Sequence, residues 1–107
     1  MRLPTRKEYP PYIWIRDKAG KKIKWKIKFV RLNNKELGVT HWPDRLIELH
    51  PMRSKKLLAE IFIHEVLHAI EFEGGVCIPH RLVYDMQSPL LFFMLDNVVG
   101  DLFKIHK

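Results

Sequence analysis

The chain has 107 residues, 47% of them hydrophobic and 29% charged, with a formal net charge of +7. That is enough chain for one domain, residues 1–107, with its own core, and the balance excludes a disordered polymer. No apolar run approaches the roughly 18 residues that span a bilayer, so no membrane span is expected.

The positive excess fits anionic partners or a solvated basic face. The opening MRLPTRKEYPPY has no apolar leader, and Cys77 is the single cysteine. Both point to a reducing, cytoplasmic setting.

Residues 12–17, YIWIRD, are aromatic and β-branched and predict a strand. A turn follows through Lys18–Lys21, with Gly20 free to take positive φ. In residues 21–32, Ile23, Trp25, Ile27 and Phe29 alternate with Lys22, Lys24, Lys26 and Lys28. Period two marks a strand with one dry and one wet face. Four lysines in a row suit protection of a sheet edge or face, or contact with a phosphate backbone.

Asn33-Asn34 reads as a turn, and 38–42 and 45–50 are two short strands joined through Pro43-Asp44. Four strands with short connections predict an antiparallel meander. Trp14, Trp25 and Trp42 are expected in the core.

Ser54 predicts a helix N-cap. Residues 55–73 then run for about five turns, ended by Gly74-Gly75. Their apolar positions, from Leu57 to Phe72, cover almost the whole circumference, which predicts a central, buried helix. A second helix is expected from His80 to about Phe103, kinked or split at Ser88-Pro89. The class is therefore α+β: a sheet of about four strands packed on a long helix and a second, C-terminal one.

Within the long helix lies HEVLH, residues 64–68. His64 and His68, four apart, stand one above the other on one face. Each can turn one nitrogen toward a single metal ion, and Glu65 beside them can reach a water on that ion. Burying these polar groups unpartnered would cost several kcal/mol; one zinc ion accounts for all three. Glu60, one turn before His64, is a candidate to accept a ligand's second ring N–H. Cys77 reads as a small buried hydrophobe, and His41, His50 and His106 as surface residues.

His64-Glu65-Val66-Leu67-His68 on a long helix after a small sheet resembles the zincin superfamily of metallopeptidases. The order of the chain resembles small stand-alone zincin-like proteins of phages and prophages, minimal gluzincins among them. The likeness is carried by EIFIHEVLHA (60–69) and PHRLVYDMQSPLLFFMLDN (79–97). It implies a third ligand on the second helix. A gluzincin would use a glutamate there, but residues 80–103 contain none, and AIEFEG (69–74) lacks the metzincin histidine.

The position matching the family's acidic residue is His80, with Asp85 and Glu71 as alternatives and Asp96 and Asp101 more remote. Tyr84 either packs or donates to an oxyanion. The resemblance implies a zinc metallopeptidase acting on a peptide or protein, with Glu65 as general base and then acid. The strand 38–42 is the expected edge for the substrate. Two rivals remain. One is a non-catalytic module stabilised by zinc; the other is a nucleic-acid-associated protein using Lys22, Lys24, Lys26 and Lys28.

Overall fold

The structure is a computed structural model that describes residues 3–33 and 35–97. Four strands form one sheet: β1 (Tyr12–Arg16), β2 (Lys22–Phe29), β3 (Gly38–His41) and β4 (Leu46–Leu49). Two helices follow, α1 (Lys55–Gly74) and α2 (His80–Asp96). The class is α+β, as expected.

The β1–β2 hairpin turns on Asp17, whose Oδ1 accepts from the amides of Ala19 (2.9 Å) and Lys21 (3.0 Å). The sheet is not the antiparallel meander that the short connections predict. Its order is β1-β2-β4-β3, and β2 pairs with β4 in parallel, Ile27 beside Ile47. Side-chain size explains the exchange. Ile47 and Leu49 are fully buried and fill the centre of the sheet. Their register partners on β3 are Thr40 and Gly38, too small to fill a core but suited to an edge lying close over a helix.

Helix α1 begins with Ser54 Oγ accepting from the Leu57 amide (3.1 Å) and ends at Gly75, which takes a left-handed φ of 63°. It lies between two apolar layers. Leu58, Phe62 and Ala69 pack with Trp25, Ile27, Ile47 and Leu49 of the sheet. Ala59, Ile63 and Leu67 pack with Val83, Leu91 and Leu95 of α2. The helix is not buried all round: Leu57, Ile70 and Phe72 are exposed, because sheet and α2 cover two sides and leave a third to solvent.

Trp25 is fully buried, whereas Trp14 (49% exposed) and Trp42 (42%) are not core residues. Trp14 stands on the outer face of β1, and Trp42 stacks parallel to Phe72 at 5.3 Å. Cys77 is also exposed rather than buried, in the connection between the helices.

Helix α2 runs continuously through Pro89 to Asp96 instead of splitting. Asp85, whose carbonyl loses its helical donor to Pro89, is exposed, so water can serve it. The expected continuation to Phe103, with Asp101 and His106, lies outside the described residues, as does Asn34 of the expected turn. No described helix is long and apolar enough to cross a membrane.

Candidate metal centre

His64 and His68 rise from consecutive turns of α1, and their ring centroids lie 4.8 Å apart. The chain reverses at Gly75 and returns as α2, whose first residue is His80. The glycine's positive φ permits the reversal. A second pin sets its path: the Ile78 amide donates to Glu71 Oε2 (2.8 Å). His80 thereby reaches the histidine face of α1. Its Nε2 is 3.1 Å from His64 Nε2, and His64 Nε2 is 3.1 Å from His68 Nε2. Among the described residues these three side chains form the group able to hold a metal ion, with ligand atoms within 4.8 Å of one another.

The donor chemistry fits a cation. His68 Nδ1 lies 2.8 Å from Glu71 Oε1, and His64 Nδ1 lies 3.0 Å from Gln87 Oε1. Both oxygens are acceptors, so both Nδ1 atoms carry the proton. With Nδ1 so engaged, Nε2 is the ring nitrogen left for a metal ion. The Nε2 atoms of His64 and His68 face each other at 3.1 Å. Burial also holds His64 below the usual imidazole range, outweighing the opposing pull of Gln87, so protonating the ring is disfavoured. A positive ion among the three nitrogens would give all of them a common partner. A tetrahedral ion bound at ~2.0–2.1 Å sets its nitrogens roughly 3.3 Å apart, close to the 3.1 Å from His64 to each of the other two.

Glu65 is 6% exposed and lies against β3. The Thr40 hydroxyl is 2.7 Å from Glu65 Oε1 and 3.0 Å from the Glu65 carbonyl oxygen. Gly38 sits still closer: a Cβ there would be 2.8 Å from Glu65 Cγ, 2.8 Å from Ile61 Cγ2 and 3.0 Å from Glu65 Oε2. Only glycine allows the edge strand to lie this near the helix.

The three histidines, Glu65, Tyr84 and the stretch Lys35–Gly38 line one cleft of about 410 Å³. A larger groove of about 580 Å³ lies between β1 and the helices, but its walls are apolar and bring no chemistry.

Of the alternative third ligands, Glu71 orients His68 and pins Ile78 instead, and exposed Asp85 and Asp96 lie outside the cluster. Glu60 does not meet a ligand ring; it accepts from Ser88 Oγ and ties α1 to α2. Tyr84 is 56% exposed, with its ring against His64 (4.7 Å between centroids) and His80 (4.8 Å).

His41 pairs with Glu48 (2.6 Å), and His50 Nδ1 accepts from the Leu32 amide (3.0 Å). Both are half-buried structural groups rather than free surface residues. The lysines of β2 are exposed, but β2 is flanked on both sides, so they line a face and protect no edge.

Gly38, Thr40 and Gln87 escape the sequence reading. Gln87 had a signal: His80, Tyr84 and Gln87 recur at helical spacing on one face. Nothing in GVT marks the other two. No family model, curated protein or solved structure matches the chain.

Proposed function

We propose that this chain is a zinc-dependent hydrolase of the zincin type, a small metallopeptidase. One observation carries it: three imidazole nitrogens converge beside a buried glutamate in an open cleft. Three neutral nitrogen donors suit zinc, and a site with three protein ligands keeps a position free for chemistry. The exposure of His80 and the openness of the cleft favour this over a closed structural site.

His64, His68 and His80 would hold the ion, which would supply Lewis acidity toward a water and a scissile carbonyl. Glu71 and Gln87 hold two of the rings in the tautomer that leaves Nε2 free. Glu65 accepts the proton of the attacking water and passes it to the leaving amine. The Thr40 hydroxyl bonds Oε1 and restrains the carboxylate. Tyr84 lines the same cleft, and its hydroxyl would donate to negative charge developing there. β3 is the sheet edge beside Glu65, and an extended peptide can add to it as a further strand.

The test is Glu65→Gln, assayed for zinc content and for hydrolysis of casein and of a quenched-fluorescent peptide library. The expected protein keeps one zinc per chain and loses turnover. Equal turnover would remove Glu65 from the chemistry; zinc without turnover in the parent would leave a zinc-stabilised binding module.

A further inference from the structure

We infer that the outer face of the sheet is a binding surface for single-stranded nucleic acid. Strand pairing puts Tyr12 opposite Lys26, Trp14 opposite Lys24 and Arg16 opposite Lys22, and the alternating exposure of both strands turns all of these away from the helices. Lys28 continues the row. The result is a face on which two exposed rings stand among five cationic side chains.

The contacts within this face are of the kind a bound strand would replace. Lys24 Nζ lies 4.3 Å from the centre of the Tyr12 ring, and Lys22 Nζ 5.8 Å from that of Trp14. An exposed cation–π contact is worth about two- to fivefold in an equilibrium, and a base stacked on a ring about five- to a hundredfold. A base can therefore take the ring while the displaced ammonium moves to the adjacent phosphate.

The acids beside this face are already engaged. Glu48, opposite Lys28, pairs with His41 at 2.6 Å, and Asp17 holds the hairpin turn through two amides.

A polyanion of some kind is indicated by the charge. The paired rings decide which. Tyr12 and Trp14 meet edge to face at 5.6 Å and are 37% and 49% exposed. Lysine ammonium groups already lie over both ring faces, so these are π-faces in a cationic setting, which suits bases better than acyl chains. Duplex is disfavoured because its bases are stacked inside and cannot reach the rings.

The surface and the metal cleft lie on different sides, since Gly38 and Thr40 face α1 while the lysines face away from it. Binding here does not depend on the proposed hydrolytic activity.

The experiment is fluorescence anisotropy of a labelled twelve-residue oligothymidylate titrated with the full chain at several salt concentrations. Four lysines and Arg16 on five phosphates predict a log–log salt slope of about −3.5, and Lys24→Gln/Lys26→Gln should lower its magnitude by about 1.4. Trp14→Ala should weaken binding roughly tenfold at an unchanged slope, with Trp14→Phe recovering most of it.

Glu65→Gln should bind like the parent, so a failed hydrolase assay leaves this result standing. The inference is overturned if Trp14→Ala binds as the parent does. Preference for phosphatidylserine vesicles over the oligonucleotide would overturn it too, as would a duplex bound more tightly than the single strand.

Discussion

Thr40 on the edge strand and Glu65 on the long helix are joined by a hydroxyl–carboxylate hydrogen bond of 2.7 Å. The two residues are 25 apart in the chain. The bond fixes one carboxylate oxygen of the proposed general base and ties that base to the strand on which a substrate would align.

Thr40→Val keeps the shape of the side chain and removes that bond. A hydrogen bond to a charged group is worth about 1.5–3 kcal/mol, so kcat for hydrolysis should fall roughly ten- to a hundredfold. Zinc content should not change. Thr40→Ser, which restores the donor, should recover most of the rate.

Gly38→Ala places a methyl 2.8 Å from Glu65 Cγ and from Ile61 Cγ2. Glu65 is buried and its carboxylate is bonded to Thr40 of the same strand, so its Cγ cannot swing away and strand and helix must separate. Overpacking of this kind costs about 1–3 kcal/mol. Thermal unfolding should register that loss. Turnover should fall further than stability does, because the displaced atom belongs to Glu65.

His80→Ala should abolish stoichiometric zinc binding in an equilibrium titration against a chromogenic chelator. Glu71→Gln keeps every ligand but weakens the acceptor that orients His68, and loss of such a partner costs about 10–100-fold in affinity. Full zinc retention by the His80 variant would mean that a different residue completes the site. Stripping the metal from the parent should lower its Tm, since the ion binds the folded site and not the unfolded chain.

Glu73 supports α1 at its far end. Its side chain is buried and accepts from Trp25 Nε1 (2.8 Å) and Arg45 Nε (2.5 Å). Arg45 holds a left-handed φ of 56°, which costs a non-glycine residue about 1–2 kcal/mol. Glu73→Ala leaves the Trp25 indole N–H buried without its acceptor, a loss of about 1–3 kcal/mol. The Arg45 contribution is the smaller part, because that side chain is 40% exposed and water screens the pair. Chemical denaturation should record the difference, with Glu73→Gln intermediate.

The elements themselves were legible from local pattern. Alternation over Ile23–Phe29, the Ser54 cap and the Gly74-Gly75 stop are short-range signals, and each lies within a residue or two of the boundary observed. His64, Glu65 and His68 were equally legible, because one helix fixes their relation at four-residue spacing.

Strand order was not. Whether β3 or β4 lies beside β2 depends on which pair of side chains fills the centre, and Ile47 and Leu49 win that place over Thr40 and Gly38 only once the helix is packed beneath. The partners of the proposed catalytic glutamate share this origin. Gly38 and Thr40 matter because the displaced strand lies against α1, and Gln87 because α2 returns at the angle that brings it to His64. Local sequence sets periods and caps over one or two turns. Contacts between residues 20 or more apart depend on how the layers compete for buried volume, and that competition is settled only in the packed molecule.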